Sequence, residues 1–240
     1  MKRTFLFLLA ALLPLLALPQ GIITRPTKKP TQTTTPAQKL PKKESVKPVE
    51  PKPEPAPVKP TRGTISGHEW VDLGLSVKWA TTNVGASSPS DYGYYFAWGE
   101  TSTKAEYYES NSQTYKKSMG DIAGNATYDA ARAQWGSPWR LPTKAECEEL
   151  VNQCTWTWTT QGGHNGYLVT GKNGNSIFLP AAGFRVGTSL GYVGEYGYYW
   201  SSTPNESDSE KAYGLYFYSS LHSVFWYRRN DVLSVRPVSN

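Results

Sequence analysis

From residue 64 to the end of the chain, apolar and polar positions alternate in short runs broken by glycine-containing turns, the pattern of half-buried strands. Residues 69–73 and 76–80 read as two strands folded about Gly74-Leu75, a hairpin. Thr155-Trp156-Thr157-Trp158-Thr159, Tyr167-Leu168-Val169 and Ile177-Phe178-Leu179 read as further strands, and the final fifty residues carry strand signals and no helix. Helical spacing occurs twice. Asp129-Ala130-Ala131-Arg132-Ala133 is a short helix stopped by Gly136 and Pro138. Thr143-Lys144-Ala145-Glu146 is a capping box, in which the Thr hydroxyl takes an orphan amide of the first turn and the Glu carboxylate reaches back. Behind it Cys147, Leu150 and Val151 recur at i, i+3 and i+4 on one apolar face. Few helices and much antiparallel sheet make the class α+β.

The two stretches before residue 64 lack this alternation. Lys2 and Arg3 precede an apolar run from Phe5 to Leu18, interrupted by Pro14 and shorter than the roughly twenty residues that cross a bilayer. A basic start and a short apolar core predict a secretory signal peptide over residues 1–21, hence export to the periplasm, the cell surface or the medium, and no transmembrane segment. Residues 22–63 hold ten of the eighteen prolines and no aromatic residue. Proline stops helix and sheet alike, and so little apolar surface cannot offset the entropy of ordering. A disordered Pro/Lys/Thr-rich spacer is predicted, semi-rigid and on the order of 100 Å long if fully extended.

Charge divides along the same boundaries. The spacer carries ten basic against three acidic residues, whereas residues 64–240 carry thirteen against sixteen. The net +6 of the chain therefore belongs to the spacer, whose lysines could contact an anionic envelope polymer. A domain that binds nucleic acid should carry its positive charge on the folded surface, which excludes that class of partner.

Candidate chemistry is sparse. Cys147 and Cys154 are seven residues apart. If the helix runs straight through, they sit about 10.5 Å apart along its axis and stay thiols; if it ends near Asn152, a disulfide across the helix end becomes feasible. His68, His164 and His222 are isolated, Glu69 has no second histidine at helical spacing, and neither a nucleophile elbow nor a phosphate loop occurs. No enzyme signature results and no cofactor is called for. Calcium is the one metal with candidate ligands, the oxygen-bearing side chains of Glu206, Asp208, Glu210 and Asp231.

The last fifty residues carry the strongest signal. In Ala212-Tyr213-Gly214-Leu215-Tyr216-Phe217-Tyr218 and Ser223-Val224-Phe225-Trp226-Tyr227-Arg228-Arg229, alternation separates two faces. If Leu215, Phe217, Val224 and Trp226 face the core, the other face presents Tyr216, Tyr218, Phe225, Tyr227 and Arg229. With Tyr198, Gly214 and Ser223, these are the candidate ligand-binding residues. Tyrosine, phenylalanine and arginine are the types in which binding energy concentrates. A glycan or an extracellular surface protein is the partner this face suggests.

Six ordered runs are shared with a known family: Val71–Ala80, Tyr94–Glu100, Trp139–Thr143, Leu179–Gly183, Tyr199–Thr203 and Ser234–Val238. Together they resemble the Fibrobacter succinogenes major paralogous domain of secreted Bacteroidetes proteins. The resemblance covers residues 67–238 and implies a C-type-lectin-like fold, related in architecture to formylglycine-generating enzymes. Those relatives use late cysteines, and this chain has none after Cys154. The sugar-binding calcium motif of C-type lectins is half-matched by Asn230-Asp231 and lacks its partner. Some C-type-lectin-like proteins are also variable targets of diversity-generating retroelements. Such rewriting, like ordinary divergence, would leave fixed positions (Leu215, Phe217, Val224, Trp226) alternating with mixed ones. The resulting expectation is an exported, non-catalytic binding module, against a surface-fibre subunit or a formylglycine-generating-type enzyme.

Overall fold

The computed structural model describes residues 61–240. The signal expected over 1–21 and the spacer expected over 22–63, apart from its last three residues, lie outside the described residues. Those last residues require a correction. Arg62–Ile65 form strand β1, paired antiparallel with β2 (His68–Asp72), so the folded domain begins before residue 64. The chain has no proline between Pro60 and Pro89, which frees it to pair. Gly63 also fits against the Trp70 ring, where an added Cβ would come within 2.8 Å of Cζ2.

The hairpin expected about Gly74 is β2 and β3 (Lys78–Ala80), in register Trp70↔Ala80. After β4 (Tyr95–Ala97) come the two helices. In α1 (Ala130–Trp135), the Asp129 carboxylate accepts from Arg132 N at 3.1 Å. In α2 (Lys144–Gln153), the capping box forms as read, with Glu146 N donating to Thr143 Oγ1 at 3.2 Å and Thr143 N donating to Glu146 Oε2 at 2.8 Å. The remaining strands are β5 (Thr155–Gln161), β6 (His164–Thr170), β7 (Ser176–Pro180), β8 (Phe184–Val186), β9 (Ser189–Gly191), β10 (Tyr196–Pro204), β11 (Lys211–Tyr218), β12 (Leu221–Arg228), β13 (Val232–Ser234) and β14 (Val238–Ser239).

Three sheets result: β1-β2-β3-β14, β5-β6-β7, and a seven-stranded sheet in order β12-β11-β10-β13-β8-β9 with β4 also on β13. Strands outweigh helices, as the α+β reading requires. Although α2 ends at Gln153 and Cys154 caps it in extended conformation, Cys147 and Cys154 are free thiols. Burial pushes the Cys147 thiol far above its ordinary range and that of Cys154 up to about 11, which leaves both inert as nucleophiles. No helix among the described residues is long and apolar enough to cross a membrane.

The shared runs build the frame. Trp79, Trp98, Trp139 and Trp200 are fully buried. The Trp98 indole donates to Ser201 O at 3.0 Å and the Trp200 indole to Phe96 O at 2.7 Å, a reciprocal tie between β10 and the β4 segment. Arg236 is buried with no carboxylate beside it. Its Nε donates to Asn83 Oδ1 at 2.8 Å and its Nη1 to the carbonyls of Ala80 and Thr81 at 3.2 and 3.0 Å. These bonds offset part of the cost of burying the charge, although Nη2 has no partner among the described residues, and they pin the C-terminal run to the end of β3.

Candidate functional site

The register of β10, β11 and β12 fixes which side chains share a face. Tyr198↔Tyr216, Tyr216↔Ser223 and Gly214↔Phe225 are opposed pairs, and residues directly opposite in an antiparallel ladder point the same way. One face therefore carries Tyr196, Tyr198, Tyr216, Tyr218, Ser223, Phe225 and Tyr227. The other carries Tyr199, Leu215, Phe217 and Val224, which pack with Cys147 and Leu150 of α2 and Tyr167 of β6. The alternation read from sequence is thus correct for both strands.

On the first face, Tyr198, Tyr216, Leu221, Ser223, Phe225 and Tyr227 line an open depression of about 460 Å³. Gly214 makes it possible from below. An added Cβ there would come within 2.6 Å of Tyr199 O and 3.4 Å of the Tyr227 ring, so a glycine lets that ring lie close over the sheet. Tyr227 meets Tyr198 edge-on, with centroids 5.5 Å apart, and Tyr216 lies 5.2 Å from Tyr198. Phe225, 49% exposed, and Leu221, 41% exposed, stand at the outer rim. Small Ser223 leaves the gap between them.

No lining residue is charged. Elsewhere in the frame, half-buried Tyr95 and the core tyrosines Tyr167 and Tyr199 donate their hydroxyls to the carbonyls of Ala182, Tyr218 and Pro180, at 2.6, 3.0 and 2.6 Å. The hydroxyls of Tyr196, Tyr198, Tyr216, Tyr218 and Tyr227, by contrast, meet no hydrogen-bond partner among the described residues. Tyr198 is only 9% exposed, yet its hydroxyl still reaches solvent. Burial raises the phenol pKa of Tyr198, Tyr216 and Tyr227, so all three stay protonated and able to donate. The depression therefore offers ring faces and hydroxyls to an uncharged, acceptor-bearing ligand.

Several candidate residues fall elsewhere. Arg229, expected on this face, is 1% exposed. The strand ends at Arg228, and the next residue turns inward. Its guanidinium donates to the carbonyls of Lys211, Thr114 and Lys117 at 3.1, 3.0 and 2.7 Å and lies 4.4 Å from the Trp98 ring centroid. Gly214 is buried and shapes the floor instead of touching a ligand. Tyr218 shares the face but stands outside the depression, beside Tyr196 at 5.5 Å. Trp226, expected in the core, is 38% exposed with the Lys211 ammonium 3.7 Å from its ring centroid. Leu221 and Tyr196 were not singled out from sequence, although each lies two residues along the strand from one that was, Ser223 and Tyr198.

The calcium candidates do not converge. Asp208 pairs with Lys211 at 2.9 Å and Glu210 with Lys116 at 3.3 Å, whereas Asp231 Oδ2 accepts from Arg228 N at 3.1 Å. Glu206 lines a separate hollow with Asp121 and Arg229. Among the described residues, no group of three or more His, Cys, Asp or Glu is placed to hold a metal ion. His68 stacks on Trp135 at 3.7 Å and His222 on Trp156 at 4.6 Å, while His164 Nδ1 lies 2.7 Å from Ser90 O. Each histidine is occupied by packing or by the backbone.

A family described as a domain of unknown function (DUF8237) matches residues 158–238. That stretch contains every residue lining the depression and the strands that carry them. No curated protein and no solved structure matches the chain.

Proposed function

We propose that the chain is an exported, non-catalytic binding module of C-type-lectin-like fold that presents the β10–β12 aromatic face to a glycan or a surface protein. Its six framework runs, similar to those of the Fibrobacter succinogenes major paralogous domain, support the fold reading. The basic and apolar start of the sequence supports export. The observation that carries the binding reading is an uncharged, aromatic-walled depression whose tyrosine hydroxyls are open to an outside partner. Such a surface combines large rigid rings with adaptable hydrogen bonding. Catalysis is disfavoured by the chemistry of the titratable groups, because both thiols are held protonated and the histidines are engaged.

The test is a glycan and surface-protein array probed with the full chain and with the same chain carrying Tyr216→Ala and Phe225→Ala. Ligands retained by the parent and lost by the variant support the reading. Ligands bound equally by both would place the binding surface elsewhere.

A further inference from the structure

Strand β12 is the end of the seven-stranded sheet and pairs only with β11 among the described residues. Tyr218 and Leu221 face each other across the two-residue turn Ser219-Ser220. In an antiparallel ladder this directs the main-chain groups of Leu221, Ser223, Phe225 and Tyr227 toward β11, and those of His222, Val224 and Trp226 away from the sheet. The outward row includes no proline, and Leu221–Tyr227 contains no lysine, arginine or carboxylate. Edge strands are ordinarily blunted by just those residues. The opposite end of the sheet, β9, is only three residues long. Four of the six residues lining the aromatic depression (Leu221, Ser223, Phe225, Tyr227) belong to β12 itself, so free edge and depression are continuous.

We infer that the partner is a polypeptide which adds an extended segment to the free edge of β12 and sets alternate, uncharged side chains into the aromatic depression. This rests on the reading of the face as a binding surface and selects protein over glycan. Unpaired main-chain groups at every second residue call for another main chain at the same spacing. Pockets for alternate side chains are how strand addition gains specificity. A second copy of this chain fits less well. Helix α2 packs against the other face of β12, and an equivalent pairing would bring a second α2 into the same layer. A lone segment needs only the width of a strand.

The probe is a display library of random dodecapeptides panned on the full chain, with the Tyr216→Ala/Phe225→Ala chain used for counter-selection and the glycan array run in parallel. Hydrogen exchange then reads the geometry. Selected peptides should slow exchange at the His222, Val224 and Trp226 amides at least tenfold, leaving those of Ser223, Phe225 and Tyr227 unchanged. Trp226→Pro deletes one outward N–H at a position where an edge strand tolerates proline and should weaken binding at least tenfold. Trp226→Ala, which keeps that N–H, should stay within about threefold of the parent, so folding and edge effects are separated. Face-dependent binders that leave the three outward amides unprotected would overturn strand addition while preserving the binding face. So would glycans bound to the face where no peptide is selected, or self-association through β12. Loss of all face-dependent binding would remove the broader reading as well.

Discussion

On the α2 side of the seven-stranded sheet, Tyr199 sits fully inside the core with its hydroxyl bonded to Pro180 O at 2.6 Å. On the opposite side, directly paired through the same strands, Tyr198 and Tyr216 pack ring to ring with hydroxyls that meet no partner among the described residues. The residue type is the same and the neighbours are equally aromatic, yet the Tyr199 hydroxyl is paired inside the protein and those of Tyr198 and Tyr216 open to solvent. The face hydroxyls keep contact with solvent, so water pairs them in the free protein and a partner would exchange for that water. The difference marks where the sheet turns toward solvent: Tyr198 is 9% exposed overall, yet its hydroxyl reaches the surface.

The largest effect should come from breaking the framework. Trp98→Ala removes the indole that donates to Ser201 O and supports Arg229, and should cost about 3–5 kcal/mol, read as a fall in denaturant midpoint. A change under about 1 kcal/mol would mean that the reciprocal tryptophan tie does not hold the sheet together.

Asp231 sharpens the boundary between the two regions. Burial lifts its folded pKa to about 6, above the ordinary carboxylate value, so the folded state favours the protonated form. The carboxyl's own contribution to stability is then fullest below about pH 4 and is lost as pH rises through 6, by up to about 3 kcal/mol. Asp231→Asn should abolish that decline and be the more stable protein at pH 7.5, with midpoints converging at pH 4. An unchanged pH profile would place Asp231 in water.

Thr143→Ala should cost about 1 kcal/mol through loss of the helix cap, with no change in array binding. Phe225→Ala, at the exposed rim, should change stability by less than about 0.5 kcal/mol and yet remove face-dependent binding. Reversal of that order, a harmless cap mutation beside a destabilising rim mutation, would dissolve the distinction between frame and face.

Much of this was legible in the sequence, because local rules and packing agree. The capping box, the Gly74 hairpin and the two-residue alternation of β11 and β12 each follow from short-range pattern. What escaped lay where the pattern stops. β1 was hidden because Arg62 and Gly63 adjoin the proline-rich spacer and show no alternation of their own. Arg229 continues the strand parity on paper, but β12 ends one residue earlier and the turn carries the guanidinium inward to three carbonyls. Trp226 has core-like chemistry and lies beyond the part of β12 that the domain covers. Gly214 reads as a ligand-binding position and is instead fixed by the backbone of Tyr199 beneath it. Which hydroxyls are paired is a tertiary fact that no spacing reveals.

One paired measurement addresses the central claim without any ligand in hand: denaturant midpoints of Tyr199→Phe and Tyr216→Phe, each deleting a single hydroxyl from the same sheet. Tyr199→Phe should lose about 1–3 kcal/mol, because the buried Pro180 carbonyl loses its donor, and Tyr216→Phe should stay within about 0.5 kcal/mol of the parent. Equal losses in the two variants would show that the Tyr216 hydroxyl is already paired within the protein, and the face would then be framework like the rest.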